Sequence, residues 1–98
     1  MKPYRFNKEK DTVLKNQRGV GFDQIIKAIT NKQVLKIIEH PNKKRYPNQK
    51  IYLVILDNYV FSIPFVEEKD YFFLKTIIPS RKYTKLYHKK LQVKNKKI

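Results

Sequence analysis

The segment Ile51–Leu56 (IYLVIL) contains only aliphatic and aromatic side chains. A run of this length without polar alternation predicts a central β-strand that is covered on both faces. The pair Asp57-Asn58 follows, a two-residue hairpin signal, so Tyr59–Val66 is expected to return as an antiparallel strand. Within that strand Pro64 lacks a backbone N–H, so a bulge or an edge position is expected there.

The chain before this hairpin carries the signals of a first helix. Asn7 is a suitable N-cap, and the pattern predicts a helix through about Gln17 with Val13 and Leu14 as its buried residues. Gly19 is suited to end the helix because glycine adopts the left-handed conformation without steric cost.

A second helix and a strand come next. Apolar residues recur at i, i+3, i+4 and i+7 from Phe22, which predicts an amphipathic helix to about Thr30. Val34–Glu39 (VLKIIE) is predicted to be a strand, and His40–Gln49 (HPNKKRYPNQ) is predicted to be a loop because of its prolines and asparagines. Tyr4–Phe6 is expected to form a short edge strand.

The last third of the domain predicts a strand followed by a helix. Tyr71–Ile78 is apolar enough for one continuous strand, which Pro79 ends. Ser80 can cap a third helix running to about Lys90. The residues expected to dock that helix on the sheet are Tyr83, Leu86, Tyr87 and Leu91.

Together these elements predict an α+β fold with two N-terminal helices, an antiparallel sheet of three to four strands and a C-terminal helix. A chain of 98 residues is expected to form a single domain, here over residues 1–91, followed by a basic and frayed tail over residues 92–98.

The charge distribution is the strongest indication of function. The net charge is +15, and residues 71–98 contain nine basic and no acidic side chains. Residues 51–70 carry a net charge of −3, between two flanks that each carry +9. Such an excess favours a polyanion or an acidic protein as partner. The alternative is a general bias toward lysine, since lysine outnumbers arginine 19 to 4.

Several function classes are excluded or disfavoured. The chain has no cysteine, which excludes disulfides, thiolate catalysis and cysteine-ligated metals. The start has no apolar signal-peptide core, and no apolar run is long enough to cross a bilayer, so a cytoplasmic protein is expected. His40 and His88 belong to no metal-ligand spacing, and we expect neither a metal nor another cofactor.

The start of the third helix is the first candidate site. Ser80 leaves free N–H groups there, and Arg81 follows directly, a combination suited to a phosphodiester. Lys82, Lys85 and His88 extend the cationic side of the same helix. The alternative is a solvated helix face, which is what a charge run usually is.

Lys75 interrupts the apolar strand YFFLKTII. Strand alternation places it on one face with Phe73 and Ile77. Such a lysine either extends to solvent at the sheet edge or points into a functional cleft.

The loop KKRYPNQK places Lys43, Lys44, Arg45 and Lys50 around Tyr46. Cations interleaved with an aromatic ring suit unpaired RNA, in which a base stacks while phosphates pair with the cations. An exposed basic loop without function is the alternative. For proton transfer the candidates are His40, His88, Glu67 and Glu68, although a lone histidine is more often structural and turn glutamates are usually solvated.

Three segments together resemble BrnT-type toxins of type II toxin–antitoxin systems. FNKEKDTVLKNQRGVGFDQII is similar to their "F-x-W-D-x-x-K-N…K-H-G-V-S-F-E-E" opening, KIYLVILDNYVFSIPFV to their central hairpin, and LKTIIPSRKYTKLY to their closing "I-I-S-A-R-K-A-T…Y". The similarity covers about residues 4–88, and the loop His40–Gln49 matches a branch with "H-P-N-x-x-x-Y-P-x-Q".

The resemblance implies a RelE-like ribonuclease fold, RNA cleavage that arrests growth, and a cognate antitoxin that is acidic or carries a DNA-binding domain. Arg81 and Lys82 match the arginine-lysine pair of the closing motif. Lys75 lies where the last strand carries a polar residue, and Arg45 and Tyr46 lie where the family has a charged loop.

This chain departs from the family pattern at three places. Arg18 replaces the histidine of "K-H-G", which excludes a histidine base at that position. Phe6 and Asn7 replace the tryptophan-aspartate pair, and Gly21 replaces the usual helix-capping serine.

The resulting hypothesis is a metal-independent ribonuclease. Arg81 and Lys75 would bind the scissile phosphate, because cations stabilise the charge that develops in the transition state. Arg45 and Lys50 would guide the strand, and Tyr46 or Tyr83 would stack a base. The proton acceptor stays open between Glu67, Glu68 and His88. The alternative is a basic module that binds nucleic acid without cutting it, since affinity for a polyanion needs only cations.

Overall fold

The computed structural model describes the backbone of residues 2–96 and the side chains of residues 2–90. In this part of the chain, three helices and one six-stranded sheet form an α+β fold, as predicted. The elements are β1 (Tyr4–Arg5), α1 (Lys8–Arg18), α2 (Phe22–Thr30), β2 (Val34–Glu39), β3 (Gln49–Leu56), β4 (Tyr59–Glu67), β5 (Phe72–Leu74), β6 (Ile78–Pro79) and α3 (Arg81–Lys96).

Both predicted ends of α1 are confirmed. The side chain of Asn7 accepts a hydrogen bond from the N–H three residues later at 2.9 Å. Gly19 has φ of 71° and donates its N–H to the carbonyl of Lys15 at 3.0 Å. Leu14 is buried as expected, but Val13 is 48% exposed and its predicted burial is wrong. The narrow apolar face of this helix turns only one of the two neighbouring residues inward.

The strand order in the sheet is β1-β5-β4-β3-β2, and β6 pairs with β4 next to β5. Three to four antiparallel strands were predicted, and both the number and the pairing differ. β1 runs parallel to β5, with Tyr4 opposite Phe72. This pairing joins residues that are 68 positions apart in the sequence (72 minus 4), so no local sequence pattern indicates it.

The central hairpin forms as predicted. Asp57 and Asn58 have φ of 51° and 65°, the left-handed pair that a two-residue hairpin requires. Within β3, Tyr52, Leu53 and Val54 are 7%, 0% and 0% exposed, so three consecutive side chains are buried. Successive strand residues point to opposite faces, and both faces of the sheet are therefore covered at this position.

The single strand predicted over residues 71–78 is divided into β5 and β6, and Pro64 explains the division. β4 continues through Pro64 with neighbours on both sides, so the expected bulge or edge position is wrong. The N–H of Lys75 donates to the carbonyl of Pro64 at 2.8 Å. Pro64 has no N–H to return a bond, and the ladder is interrupted in the neighbouring segment instead.

The interruption changes which side chains face the core. Strand alternation grouped Ile77 with Lys75, and Leu74 with Ile78. In the structure Leu74 and Ile77 are both 0% exposed, whereas Ile78 is 44% exposed. Lys75 is exposed. Residues 75–77, which lie between β5 and β6 without regular pairing, therefore change which side chains of the following segment face the core.

The two faces of the sheet are covered by different helices. The main core lies under α1 and α2, and its buried members are Leu14, Phe22, Ile25, Ala28, Tyr52, Val54, Ile63, Phe65, Leu74 and Ile77. Leu53 and Val60 lie outside this cluster and are each 0% exposed. By alternation they point to the opposite face, which α3 covers.

α3 extends to Lys96 rather than ending near Lys90. Its buried position is Thr84, at 7% exposure, whereas Leu86 faces the sheet beside Leu53 but remains 45% exposed, so it docks only in part. Tyr83 and Tyr87 are half-buried, in agreement with the prediction. The side chain of Leu91 and part of the expected frayed tail (residues 97 and 98) lie outside the described residues.

Candidate nucleic-acid interface

The start of α3 is held against β4 by two hydrogen bonds, and a third bond caps the helix. The N–H of Ser80 donates to the carbonyl of Val60 at 2.9 Å, and the Ser80 hydroxyl accepts from the N–H of Tyr83 at 3.2 Å, as expected for an N-cap. One turn later, the hydroxyl of Thr84 accepts from the N–H of Val60 at 2.9 Å. The helix start is therefore fixed in both position and direction.

This attachment presents one cationic helix face beside the β3–β4 hairpin. Arg81, Lys85 and His88 are spaced at i, i+4 and i+7, so they share a side of α3. A cleft of about 360 Å³ lies at the helix start and is lined by Tyr59, Arg81, Thr84 and Lys85. Arg81 and Lys85 are exposed, and Tyr59 is half-buried. The cleft thus combines two exposed cations with an aromatic ring.

His88 is fixed to the hairpin turn. Its Nε2 lies 2.8 Å from the carbonyl oxygen of Asn58. A carbonyl only accepts, so Nε2 carries the proton and donates it. In the neutral ring Nδ1 is then an acceptor, and the exposed imidazole is oriented by its contact with the turn.

The cations of this face have no carboxylate to neutralise them in the described part of the chain. The four ion pairs there involve Lys2, Lys15 and Lys43, and none of them includes a residue of α3. Lys82 instead lies with Nζ 5.4 Å from the centroid of the Tyr83 ring. We call Arg81, Lys82, Lys85, His88 and Tyr59 the α3 surface.

Glu67 lies elsewhere, at the far end of β4. Its carboxylate pairs with Nζ of Lys2 at 2.8 Å, and Lys2 also donates to the carbonyl of Glu68 at 2.9 Å. The Lys2 ammonium holds the pKa of Glu67 below its ordinary value, and Lys50 adds to this effect. A cleft of about 380 Å³ at this end of the sheet contains Glu67, Glu68 and Lys50.

The loop between β2 and β3 adjoins that second cleft. Tyr46 packs at 4.5 Å between ring centroids against His40, whose Nδ1 accepts from the N–H of Asn42 at 3.0 Å. The Arg45 guanidinium lies 5.5 Å from the centroid of Tyr46. Lys50 and Tyr46 together line a smaller cleft of about 250 Å³. Much of this loop is therefore held by its own contacts.

The predicted site residues fall into two groups, one at the start of α3 around Arg81 and one at the far end of β4 around Glu67 and Lys50. Lys75 lies between the two groups. Ser80 binds β4 at Val60, whereas Glu67 is seven residues further, which is about 23 Å along a strand. Lys75 binds β4 at Pro64, about 13 Å from Val60 by the same measure. Arg81 and Lys75, which were predicted to bind one phosphate, thus start from well-separated points of the backbone.

Tyr59 and Thr84 were not predicted as parts of the site. Tyr59 directly follows the predicted hairpin turn, and the turn signal alone does not show that α3 lies beside it. Thr84 belongs to the motif IIPSRKYT, and the charges of this motif do not indicate a role for its hydroxyl. The only sequence signal for Thr84 was a single threonine hydroxyl within the cationic segment RKYTKLYHKK.

The residues in this region form no evident metal centre. In the stretch with described side chains, no three histidine, aspartate or glutamate side chains lie close enough together to hold a metal ion. Among residues 2–96 no helix has the length and apolar character that a membrane-spanning segment needs.

Comparison with known proteins provides no further assignment. No protein-family model, no curated protein and no solved structure matches this chain.

Proposed function

We propose that the protein is a metal-independent ribonuclease that acts as the toxin of a type II toxin–antitoxin pair and is neutralised by a cognate antitoxin. The observation that carries this proposal is the alignment of Arg81, Lys85 and His88 beside Tyr59, on a helix whose start is fixed by Ser80 and Thr84. The closing motif that resembles BrnT-type toxins lies at this position.

Other residues of the closing motif have structural roles, whereas Arg81 has none, and this contrast supports a functional role for Arg81. Ile77 is buried in the core, Ser80 caps the helix, and Thr84 bonds to β4. Arg81 is exposed, and its guanidinium makes no hydrogen bond or ion pair among the side chains that are described. The fold therefore does not require Arg81, whereas a phosphate would use its planar donors, the helix dipole and free N–H groups together.

The proposed reaction needs no metal ion. A base removes the proton of a ribose 2′-hydroxyl, the resulting oxygen attacks the adjacent phosphorus, and the 5′-oxygen leaves with a proton. The products are a 2′,3′-cyclic phosphate and a 5′-hydroxyl. Arg81 and Lys85 would stabilise the charge that develops on the phosphate. His88, one helical turn from Lys85, is the proton-transfer group best placed for the same phosphate, and Tyr59 would stack a base.

Two earlier candidates fit this scheme less well. Glu67 lies about 23 Å along β4 from the attachment of α3, so it cannot exchange a proton at a phosphate bound by Arg81. The backbone of Lys75 bonds to β4 at Pro64, between Val60 and Glu67. In this proposal Lys82 contacts the RNA next to Arg81, whereas Lys50, Arg45, Tyr46 and Lys75 contact a more distant part of it.

A second candidate function is nucleic-acid binding without cleavage. The observation in its favour is that two of the three candidate proton-transfer groups already have a partner, Glu67 in Lys2 and His88, through Nε2, in Asn58. Binding alone requires only the uncompensated cations of the α3 surface. This module would bind RNA with strong salt dependence and leave it intact.

The test is inducible expression of wild type, Arg81→Ala and a control, Lys27→Ala, with growth and the integrity of total RNA as readouts. Lys27 is an exposed lysine of α2, on the opposite face of the sheet. The proposal expects arrest and RNA fragments with new 5′-hydroxyl ends for wild type and Lys27→Ala, and loss of both for Arg81→Ala at equal soluble protein. Intact RNA and normal growth in all three strains would support binding without cleavage.

A further inference from the structure

The edge strand β2 presents apolar side chains on both faces of the sheet. β2 is the last strand in the sheet order, and no strand of the described chain pairs with its outer edge. On the face covered by α1 and α2, Ile37 is 50% exposed. An exposed edge with apolar side chains is a ready template for a further strand.

A groove lies on the other face of the same strand, between β2 and α3. Its volume is about 190 Å³, and it is lined by Leu35, Lys36, Leu53, Tyr83, Leu86, Tyr87 and Lys90. Leu53 forms the buried floor, whereas Leu86 is 45% exposed at the rim. A groove of this kind accepts one apolar side chain of medium size.

The rim of the groove is cationic. Lys36 comes from β2 and Lys90 from α3, and neither forms an ion pair among the described side chains. The segment of α3 from Arg81 to Lys90 contains no acidic residue, so α3 itself offers these lysines no partner. The groove is thus apolar at the bottom and positive at the edge.

We propose that the β2 edge binds an extended acidic segment of a partner protein, which adds to the sheet beyond β2. In this arrangement, backbone hydrogen bonds supply affinity, and alternate side chains supply specificity. One apolar side chain of the segment enters the groove beside Leu86, and another covers Ile37 on the opposite face. Carboxylates of the segment meet Lys36 and Lys90.

Charge decides between possible occupants. A second copy of this chain would bring another net charge of +15 to the same edge and is disfavoured. RNA would meet three leucines in this groove beside its lysines and tyrosines, whereas the cleft at the start of α3 offers two cations and an aromatic ring with no aliphatic side chain in its lining. An acidic, partly apolar peptide satisfies both the groove and its rim.

The inference rests on the proposed function for the existence of a neutralising partner protein, but its test uses no RNA. The full protein is immobilised free of nucleic acid, and a display library of random decapeptides is selected on it. We expect enriched peptides with net negative charge and alternating apolar residues. On labelled protein they should shift the amide signals of β2, and Lys36→Glu should abolish the acidic preference.

Three surface substitutions make the test specific. Leu86→Glu and Ile37→Lys should each weaken the enriched peptides about tenfold, as expected when one apolar contact of a small interface is lost. The matched control is Val13→Lys, which replaces an equally exposed apolar residue, 48% exposed, on α1 and should leave binding unchanged.

The following results would overturn the inference: no enrichment, enrichment of peptides without acidic residues, equal effects of Leu86→Glu and Val13→Lys, or amide shifts confined to the α3 surface. Because no RNA is present, peptide binding in a protein that fails to cut RNA would reject the ribonuclease and keep the docking edge. Cleavage of RNA without peptide binding would reject the docking edge and keep the ribonuclease.

Discussion

The hydroxyl of Thr84 accepts a hydrogen bond from the backbone N–H of Val60 at 2.9 Å and lies 2.6 Å from the carbonyl oxygen of Ser80. β6 ends at Pro79, so the carbonyl that a longer strand would offer to Val60 is missing. The Thr84 side chain replaces it. A single helical hydroxyl thereby completes the hydrogen bonding of β4 and attaches the candidate site to the sheet.

Thr84→Val should therefore destabilise the protein by about 1–3 kcal/mol, because it preserves shape but leaves the buried N–H of Val60 without a partner. Urea unfolding followed by circular dichroism measures this difference. Thr12→Val is the matched control, since the Thr12 hydroxyl is exposed and bonds only within its own helix. Equal stability of the two variants would show that the contact with Val60 contributes nothing.

A second prediction concerns Asp11, which joins the two N-terminal helices. Its carboxylate accepts from the N–H of Phe22 at 2.8 Å and pairs with Lys15 at 3.0 Å. Burial raises the pKa of Asp11, but the bond from Phe22 and the charge of Lys15 together outweigh burial and hold it below its ordinary value. Asp11→Ala should cost about 1–3 kcal/mol at neutral pH because it leaves a buried N–H unpaired.

The sign of the pH dependence follows from that lowered pKa. The Asp11 carboxyl ionises at a lower pH in the folded chain than in the unfolded chain, where the value is about 3.9. Its contribution is complete above the unfolded value and is lost as the pH falls through the folded value. Acid titration of stability should therefore be flatter for Asp11→Asn than for wild type below about pH 4. An equally steep acid titration of stability in Asp11→Asn and wild type would show that Asp11 does not contribute to it.

A third prediction concerns Gly21, where the resembled family has a capping serine. A Cβ at this position would lie 2.9 Å from Oδ1 of Asp11 and would also contact the side chain of Lys15. The N–H of Gly21 already bonds to the side chain of Gln24 at 2.9 Å. Gly21→Ser should therefore lower the melting temperature although serine is a good N-cap.

The cause can be separated by repeating Gly21→Ser in a Lys15→Ala background. If the crowded Lys15 side chain is responsible, the two changes should be less harmful together than the sum of their separate effects. Additive effects would instead place the strain on Asp11. The measurement is thermal unfolding of the four proteins of the cycle.

Local signals predicted the elements that depend on neighbours in sequence. The Asn7 cap, the Gly19 stop and the Asp57-Asn58 turn each act within a few residues, and the structure has all three. The failures in the sheet depend on distant residues. Pro64 interrupts the segment that follows Leu74, because a missing N–H affects the partner strand rather than its own.

The candidate site shows the same limit. Spacing along α3 correctly placed Arg81 and Lys85 on one side, because helical periodicity is local. Their neighbour Tyr59 comes from another element and is brought near by the Thr84–Val60 bond. Glu67 and Lys50 were grouped with Arg81 by charge alone, and the length of β4 separates them. Charge patterns indicate the kind of ligand, but only the packing determines which cations meet it.

A fourth prediction separates the two groups of cations by their salt dependence. Binding of a 2′-O-methylated RNA oligonucleotide, which cannot be cleaved through its 2′-oxygen, is measured between low and moderate salt. Arg81→Ala and Lys85→Ala should each lower the slope of log affinity against log salt by about 0.7, the value for one phosphate contact on a single strand. Lys27→Ala should not change it. An unchanged slope in both α3 variants would place the RNA elsewhere on the protein.

The last prediction tests His88 as the proton-transfer group, separately from its contact with the hairpin. His88→Gln retains a donor that can reach the carbonyl of Asn58 but offers no titrating nitrogen. We expect unchanged melting temperature and unchanged affinity for the methylated RNA, with cleavage of unmodified RNA reduced by about 100-fold or more, the usual contribution of a positioned acid or base. His88→Ala should in addition lower the melting temperature, because it removes the contact with the turn. Full cleavage by a folded His88→Gln protein would exclude His88 from the chemistry. Proton transfer would then have to come from another group near Arg81, of which Tyr59 lines the same cleft.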